Sequence, residues 1–235
     1  MDSRRRTKGI SLNEGRRRRR AKAALRLALQ TTILAVVFTT TSLAEHASTG
    51  AVSKHDLQGK MDYCETCHGV SGRGFHGYYP IPRLAGQQTG YFKNQLEAFV
   101  EHRRTNIIMF NVGHVLSPEM ITALATNFEA LNPPPLGGAP KGLAGRGKQI
   151  YAEGIPDSNV PACATCHGPD AKGNGEFPRL AGQLYEYIVN KLTNFTKERG
   201  QNPEKPDTSA IMQPIAHALT EPEIKAVAAY VSYLD

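Results

Sequence analysis

The C-terminal segment carries apolar residues at the spacing of one face of a helix. These apolar positions are Ile224, Val227, Ala228, Val231 and Leu234. Thr220 precedes the segment and Glu223 follows three residues later, which is the pattern of a capping box at a helix N-terminus. The sequence therefore predicts a final amphipathic helix that begins just after Thr220 and buries one face.

A similar pattern occurs about a hundred residues earlier. Ser117 precedes Pro118, and proline is favoured in the first turn of a helix. The apolar positions that follow are Met120, Leu124, Phe128 and Leu131. Two further amphipathic stretches, Tyr91–Phe99 and Tyr187–Phe195, predict a middle helix in each half of the chain. Strand-like alternation is scarce, so we predict an all-α fold.

These helical patterns belong to a tandem repeat. The hexapeptide Pro-Arg-Leu-Ala-Gly-Gln at residues 82–87 recurs unchanged at residues 178–183. Further matching positions follow in the same order in both halves. The matched pairs are Tyr91 and Tyr187, Leu96 and Leu192, Phe99 and Phe195, Met109 and Met212, His114 and His217, and Leu116 and Leu219.

A proline-rich stretch at residues 132–140 separates the two halves. Three consecutive prolines cannot continue a helix and favour an extended connector. We therefore place the boundary near residue 137 and expect an N-terminal domain at 45–136 and a C-terminal domain at 137–235. Each domain of about 90 residues would have a marginal apolar core by itself, so a bound prosthetic group would contribute to folding.

The first 44 residues have the pattern of a secretory signal peptide. They contain eleven Lys or Arg, then an apolar run over residues 21–38, and they end in Ser-Leu-Ala. We expect cleavage after Ala44 and a periplasmic location. Arg26 and several threonines interrupt the run, which falls short of the about 20 apolar residues of a spanning helix. An uncleaved membrane anchor is the alternative.

Removal of this segment changes the charge of the protein. The whole chain has 28 basic and 21 acidic residues and a net charge of +7. Without the eleven basic and two acidic residues of 1–44, 17 basic and 19 acidic residues are left. The basic excess is therefore a targeting feature, and the remaining chain gives no indication of nucleic-acid binding.

Two Cys-x-x-Cys-His motifs carry the candidate chemistry. They read Cys-Glu-Thr-Cys-His at residues 64–68 and Cys-Ala-Thr-Cys-His at 163–167. On a helix, positions i, i+3 and i+4 share one face. Two thiols can thus reach the two vinyl groups of one porphyrin, and the histidine can ligate its iron. The motifs predict two covalently attached haem c groups, with thioether positions Cys64, Cys67, Cys163 and Cys166 and axial ligands His68 and His167.

Two other uses of paired cysteines fit the sequence less well. A zinc ribbon usually separates its pairs by about 15–20 residues, whereas almost a hundred residues intervene here and each pair has its own histidine. A thioredoxin-like dithiol needs one motif in a βαβ setting, and neither motif has one. Because the motifs use all four cysteines of the chain, haem attachment is the better interpretation.

The chain after residue 44 contains four methionines that are candidates for the second axial ligand of each iron. Met61 lies three residues before Cys64 on the same predicted helix, so it cannot easily reach the opposite haem face. Met120 fits the buried face of the helix that follows Ser117 and has no repeat partner. Met109 and Met212 are repeat-equivalent. Because they occupy equivalent positions in the two halves, we predict that they are the ligands. His/Met ligation raises the reduction potential relative to bis-His ligation.

Two histidines provide the alternative. His114 and His217 are also repeat-equivalent, and each lies five residues after the predicted methionine ligand. A bis-His site would have a lower potential.

Residues that support the axial ligands can also be predicted from the repeat. An axial histidine donates its other N–H to a backbone carbonyl or a carboxylate, and the carbonyls of Pro82 and Pro178 are suitable acceptors. Arg103 and Arg199 align between the halves and are candidates to pair a haem propionate. The alternative for these arginines is a solvated position on an exposed loop.

Over residues 50–235 the chain resembles the dihaem cytochrome c4 family. The resemblance rests on the two Cys-x-x-Cys-His motifs, the two hexapeptides, the two methionines and the terminal helices. It implies two tandem class I cytochrome c domains related by pseudo-twofold symmetry. It also implies His68 with Met109, and His167 with Met212, as axial pairs.

The resemblance implies a periplasmic electron carrier rather than an enzyme. Such a carrier passes single electrons along a respiratory chain, from a donor such as a quinol-oxidising complex toward a terminal oxidase, with loose membrane association. One alternative is the cytochrome subunit of a flavocytochrome-type dehydrogenase, such as a sulfide dehydrogenase. A dihaem peroxidase is a weaker alternative, because catalysis at haem needs an open coordination position.

Overall fold

The computed structural model describes residues 51–200, 202–205 and 207–235. In these ranges the chain forms ten α-helices, and isolated bridges take the place of strands. The first half contains α1 (Lys54–His68), α2 (Thr89–Val100), α3 (Ile107–His114) and α4 (Pro118–Glu129). The second half contains α5 (Ala144–Glu153), α6 (Ala164–His167), α7 (Tyr185–Thr193), α8 (Phe195–Glu198), α9 (Ser209–Ala218) and α10 (Glu221–Ser232). The all-α prediction is confirmed. The predicted signal peptide lies outside the described residues.

The predicted capping residues begin the last helix of each half. The side chain of Ser117 accepts a hydrogen bond from the backbone N–H of Met120 at the start of α4. Thr220 and Glu223 form the capping box of α10, in which the backbone N–H of Thr220 donates to the Glu223 carboxylate over 2.9 Å. The predicted apolar face of each helix is buried. In each helix only the last predicted apolar position differs. Leu131 and Leu234 lie beyond the helix ends and are half-buried.

The middle helices differ in length from the predictions. The first, α2, extends the predicted Tyr91–Phe99 at both ends. The second is divided, because the backbone of Asn194 departs from helical angles (φ −108°, ψ 20°) between α7 and α8. The side-chain amide of Asn194 donates to the carbonyl of Asn190 over 3.1 Å. This side-chain bond competes with the regular backbone pattern at that point.

Each half buries its own apolar cluster. In the first half α1 and α2 pack against α4, and in the second half α5 and α7 pack against α10. The first cluster consists of Met61, Phe92, Leu96, Met120, Ile121, Leu124, Ala125 and Phe128. The second consists of Ile150, Tyr151, Ala171, Ala181, Ile188, Ala226, Val227, Ala228 and Val231. The two clusters thus follow the two copies of the repeat.

No single helix in the described ranges is long and apolar enough to cross a membrane. The consecutive helices α3 and α4 satisfy the length and composition criteria only as a pair, and they are bent by 114° at the break between them.

Helices α5 and α10 approach each other closely at Gly147. A Cβ atom on this residue would lie 2.0 Å from the carbonyl oxygen of Ala226 and 2.8 Å from the Cβ of Tyr230. Both distances are far inside van der Waals contact, and the first involves backbone that cannot rotate away. The absence of a side chain at Gly147 therefore permits the helix crossing that closes the second core.

We expect the substitution Gly147→Ala to lower the free energy of unfolding by about 3 kcal/mol, because overpacking at a backbone contact forces α5 and α10 apart. The measurement is guanidinium unfolding of the haem-loaded protein, followed by circular dichroism. The matched control is Gly145→Ala on the same helix, where a Cβ would meet nothing within 4 Å. This control should raise the stability by up to about 1 kcal/mol, since alanine is the better helix former. Equal effects of the two substitutions would contradict the packing argument.

Candidate haem-binding sites

The first Cys-x-x-Cys-His motif forms the last turn of α1. Cys64 is half-buried and borders the first core cluster, Cys67 is exposed, and His68 is buried. The helix stops at Gly69, which has φ +76°. A Cβ at Gly69 would lie 2.4 Å from the carbonyl oxygen of Gly74. Glycine at this position lets the chain turn back beneath the histidine.

The second motif lies on the single-turn helix α6, and Cys163 immediately precedes it. Residues 154–163 separate α6 from α5, whereas α1 is continuous in the first half. An anchor from α5 fixes the short helix, because the Tyr151 hydroxyl donates to the carbonyl of Gly168 over 2.5 Å. Burial raises the pKa of Tyr151, which keeps this hydroxyl protonated and able to donate.

Both motif histidines donate to a proline carbonyl. His68 Nδ1 lies 2.8 Å from the carbonyl oxygen of Pro82, and His167 Nδ1 lies 2.9 Å from that of Pro178. A carbonyl oxygen can only accept, so Nδ1 carries the proton in each ring. The predicted role of the two prolines is confirmed. The second ring nitrogen, Nε2, therefore keeps a lone pair for a metal.

The histidines are held in the neutral form that a metal requires. Burial lowers the pKa of His68 and of His167, and the hydrogen bond to the proline carbonyl opposes this shift only in part. Each ring is 8% exposed. Neutral imidazole is the form that ligates iron.

None of the four cysteines, all of which lie in the described part of the chain, forms a disulfide. Burial raises the pKa of Cys64 and of Cys163 to about 11, so these two thiols are protonated at neutral pH. Within each motif the two cysteines have the i, i+3 spacing on a helix face that attachment to two vinyl groups requires.

The two predicted methionine ligands lie on helices that were not predicted from the sequence. Met109 is on α3, where its backbone N–H donates to the side chain of Asn106, and its side chain borders the same core cluster as Cys64. Met212 is half-buried on α9. It is not among the residues that border the cluster next to Cys163.

The other ligand candidates have different surroundings. Met61 and Met120 are buried members of the first core cluster. His114 and His217 are exposed. The ring of His114 stacks on that of Phe110 with the centroids 5.6 Å apart.

Large apolar side chains are exposed beside both methionines. Ile107 and Ile108 precede Met109 and are 72% and 67% exposed, and Ile211 precedes Met212 and is 53% exposed. A flat apolar macrocycle bound in each half would cover such surfaces. Together with the neutral histidines and the free thiol pairs, these surfaces show that the residues present fit a haem in each half.

Comparisons with known proteins agree with this geometry. The family model described as cytochrome c matches residues 144–235. The chain is 42% identical over 177 residues to cytochrome c-552 of Acidithiobacillus ferridurans, covering 73% of each chain. It is 36% identical over 170 residues to the thiosulfate dehydrogenase electron acceptor of Stutzerimonas stutzeri strain A1501, covering 71% of this chain and 76% of that relative.

A solved structure of Acidithiobacillus ferrooxidans cytochrome c4 superposes with a TM-score of 0.64 at 40% identity, covering 74% of this chain and 99% of that one. The chain belongs to the dihaem cytochrome c4 family. This cytochrome has two class I cytochrome c domains related by pseudo-twofold symmetry, and its cofactors are two covalently attached haem c groups. It is an electron-transfer protein rather than an enzyme.

The repeated hexapeptides of this cytochrome bind each other across the pseudo-twofold axis. The side-chain oxygen of Gln183 accepts from the backbone N–H of Arg83 over 2.8 Å, and its amide nitrogen donates to the carbonyl of Arg83 over 3.0 Å. Gln87 makes the same two bonds to the backbone of Arg179, over 2.8 and 3.2 Å. The repeat is evident in the sequence, whereas this exchange of hydrogen bonds was not predicted. The unchanged hexapeptide was the available signal.

The two arginines of the hexapeptides share a neutral acceptor. The guanidinium groups of Arg83 and Arg179 both donate to the side-chain oxygen of Asn132, over 3.1 and 3.0 Å. Arg83 also donates to the carbonyl of Pro133 over 2.7 Å. Burial and then the neighbouring Arg179 lower the pKa of Arg83 to about 10. The connector between the halves thus begins as part of their interface.

A second cross-half cluster corrects the predicted alignment of the arginines. Arg104, and not Arg103, is the counterpart of Arg199, because these two form an antiparallel bridge and both donate to the side-chain oxygen of Gln95, over 2.7 and 2.8 Å. Between Phe99 and Arg104 the first half has one residue more than the second half has between Phe195 and Arg199. His102 adopts φ +58° in this segment.

Each arginine of this cluster also donates to a tyrosine of the opposite half. Arg104 donates to Tyr187 over 2.8 Å, and Arg199 donates to Tyr91 over 3.2 Å. The guanidinium groups lie over the rings of Phe99 and Phe195, respectively. Within the described part of the chain, Nε of Arg104 is buried without a hydrogen-bond partner.

Arg103 pairs with carboxylates of the protein. Its guanidinium contacts Asp207 of the second half and donates to Glu101 over 2.7 Å. The residue is buried, so the predicted alternative of a solvated position on a loop is wrong, and pairing with a propionate stays a prediction. Burial opposes ionisation of Asp207, but hydrogen bonds from Ser209 and the charge of Arg103 outweigh this effect and hold its pKa below 3.8.

The ion pair between Arg103 and Asp207 should make stability pH-dependent. Because the pKa of Asp207 is lower in the folded than in the unfolded protein, its contribution is complete above about pH 5 and is lost as the pH falls through the folded value. We expect Asp207→Asn to lower the free energy of unfolding at pH 7 by about 1–2 kcal/mol. The difference from the unmodified protein should narrow toward pH 2, as denaturant titrations at several pH values would show.

The control for this experiment is Glu221→Gln, which breaks an exposed ion pair with Lys225. It should leave the stability nearly unchanged at every pH. A deficit of Asp207→Asn that stayed constant from pH 7 to pH 2 would contradict the ionic origin of the effect.

Proposed function

We propose that this cytochrome carries single electrons in the periplasm through two His/Met-ligated haems. His68 and Met109 ligate the iron of the first half, and His167 and Met212 ligate that of the second. The pairs Cys64 with Cys67 and Cys163 with Cys166 hold the two porphyrins through thioether bonds. The observation that carries the proposal is the equal orientation of both histidines, each neutral and each with Nδ1 bound to a proline carbonyl.

The bound haems supply a one-electron couple between ferrous and ferric iron. The residues of the chain keep that couple suited to fast transfer. Buried neutral histidines and the packed helices around them hold the ligands in place, so little reorganisation accompanies the change of charge. Methionine as the second ligand favours a higher potential.

Two domains of similar size would carry one haem each. We propose the limits 45–136 and 137–235, after removal of residues 1–44 as a signal peptide. The basic start, the apolar run and the Ser-Leu-Ala ending of 1–44 support export to the periplasm. In that compartment haem c would be attached and the respiratory partners would meet the protein. A donor such as a quinol-oxidising complex and an acceptor such as a terminal oxidase fit this location, with loose association at the membrane.

The relatives favour one further candidate for the donor. A relative that is 36% identical bears the name thiosulfate dehydrogenase electron acceptor, and a second relative with that name, from Thiomonas intermedia strain K12, is 34% identical. An oxidoreductase of sulfur compounds is therefore the second candidate. We propose it in place of the flavocytochrome subunit as the alternative, because the names of these two relatives refer to thiosulfate dehydrogenase.

The ligand assignment can be tested with Met109→Leu and Met212→Leu in the full, haem-loaded protein. Leucine has no donor atom, so each substitution should abolish the Fe–S(Met) absorption of one haem and halve the weak far-red band of the ferric protein. After reduction, the altered haem should bind carbon monoxide while the other does not. Absorption spectra before and after exposure to the gas measure both effects.

Met120→Leu is the matched control, because Met120 lies in the first core cluster. It should leave the far-red band intact and block carbon monoxide as the unmodified protein does. A full-intensity band in either Met109→Leu or Met212→Leu would overturn that assignment and make His114 or His217 the ligand. Carbon monoxide binding by the unmodified protein would overturn the carrier proposal itself.

The two donor candidates make different predictions in rapid mixing. If the donor is a quinol-oxidising complex, that complex with its quinol should reduce both haems faster than thiosulfate dehydrogenase with thiosulfate does. The α-band absorbance of the reduced haems measures each rate under anaerobic conditions. Faster reduction with thiosulfate would instead select the second candidate, and the protein without either donor enzyme is the blank.

A further inference from the structure

We propose that Gln183 and Gln87 each tune the reduction potential of the haem in the opposite half of the protein. Each glutamine acts through the single peptide group that holds the axial histidine of that other half. The inference rests on the proposed axial roles of His68 and His167, and it assigns Gln183 and Gln87 as positioning residues for electron transfer.

One peptide group carries both bonds in the first half. The carbonyl of the Pro82–Arg83 peptide accepts from His68 Nδ1 over 2.8 Å, and the N–H of the same peptide donates to the side-chain oxygen of Gln183 over 2.8 Å. The axial histidine and the glutamine are therefore connected by two hydrogen bonds to opposite ends of one conjugated peptide group. The histidine belongs to the first half and the glutamine to the second.

The second half repeats the arrangement with the roles exchanged. The carbonyl of the Pro178–Arg179 peptide accepts from His167 Nδ1 over 2.9 Å, and its N–H donates to the side-chain oxygen of Gln87 over 2.8 Å. Two independent copies of one geometry are hard to attribute to chance placement of side chains.

The orientation of each glutamine amide is fixed by its partners. The oxygen of Gln183 receives the backbone N–H groups of Arg83 and Leu184, at 2.8 and 3.0 Å. The oxygen of Gln87 receives those of Arg179 and Gln88, at 2.8 and 2.9 Å. Both partners are donors, so an amide rotated by 180° would place its own donors against them.

A hydrogen bond at one end of an amide strengthens the bond at the other. When the N–H of a peptide donates to an acceptor, electron density moves toward its carbonyl oxygen, and such cooperativity amounts to about 10–30% per bond. A stronger carbonyl acceptor draws the Nδ1 proton of the histidine further and makes the imidazole a better electron donor to iron. More donation stabilises ferric iron and lowers the potential.

Burial makes the glutamines difficult to replace by solvent. Gln87 and Gln183 are each 7% exposed, and Arg83 and Arg179 are 3% and 6% exposed. Water has little access to these peptide N–H groups when the two halves are packed together. The tuning is therefore present only while the hexapeptides face each other.

The test is the substitution Gln183→Met, which keeps the length of the side chain and removes its acceptor. At a fixed solution potential, the ratio of oxidised to reduced iron should fall about threefold to tenfold at the first-half haem. This change corresponds to a rise of about 28–59 mV for a one-electron couple. The second-half haem should keep its ratio. Redox titration followed by proton NMR, with each haem's signals assigned by their contacts to Met109 or Met212, separates the two.

The reciprocal variant is Gln87→Met, which should raise the potential of the second-half haem and leave the first unchanged. A readout independent of potential is the 15N shift of the histidine Nδ1 in the reduced protein. It should move at His68 in Gln183→Met and at His167 in Gln87→Met, in the direction of a weaker hydrogen bond.

Two further variants separate tuning from a looser interface. Gln88→Met removes two cross-half bonds, to the carbonyl of Lys172 and the N–H of Gly175, that do not involve the histidine peptides. Both potentials should stay unchanged in this control. Gln183→Glu keeps an acceptor oxygen opposite Arg83, so it should not raise the potential of the first-half haem.

Several outcomes would overturn the inference. They are no shift in Gln183→Met, a shift confined to the second-half haem, equal shifts of both haems in Gln88→Met, or a rise in Gln183→Glu as large as in Gln183→Met. These outcomes differ from failure of the proposed function, which would be evident in the unmodified protein as a missing Fe–S(Met) band. Normal His/Met spectra with unshifted potentials would refute the tuning alone.

Discussion

The hydrogen bond from each motif histidine to a proline carbonyl is the constraint on which the other features of the site depend. A buried imidazole presents a lone pair to iron only if its proton stays on the other ring nitrogen. That protonated nitrogen needs a hydrogen-bond acceptor. Pro82 and Pro178 provide that acceptor at 2.8 and 2.9 Å. Proline has no backbone N–H, so the backbone donor at this point is the N–H of the arginine that follows it. The turns after the motif helices bring these carbonyls beneath the rings.

The hexapeptide combines three interactions in six residues. Its first residue orients the histidine of its own half, the backbone of its arginine receives the glutamine of the other half, and the guanidinium reaches the connector at Asn132. Cofactor orientation and domain docking thus use the same short segment. A hydrogen-bonded interface of this kind is directional, which fixes the relation between the halves more tightly than apolar contact alone would.

Local patterns predicted the local structure well. The cap at Thr220, the proline turn after Ser117 and the core position of Met120 all follow from residues close together in sequence. Residues that meet across the halves were predicted poorly. Arg104 finds Tyr187 across 83 positions, and one extra residue near His102 moved the alignment to Arg103. The helix α3 also escaped prediction, because its apolar residues, among them the exposed Ile107, give no amphipathic stripe. The helix α9 contains Pro214, and a proline in this position argues against a helix in the sequence.

The reciprocal bonds between the hexapeptides have a consequence for the history of the chain. Duplication of a gene ordinarily allows the two copies to diverge, since a change in one copy is felt only there. In this protein a change at Gln87 or Gln183 removes bonds from the backbone of the other copy, so neither hexapeptide can vary alone. Selection on one half is therefore also selection on the other, and the two segments are expected to evolve as a single unit although 90 residues of chain lie between them.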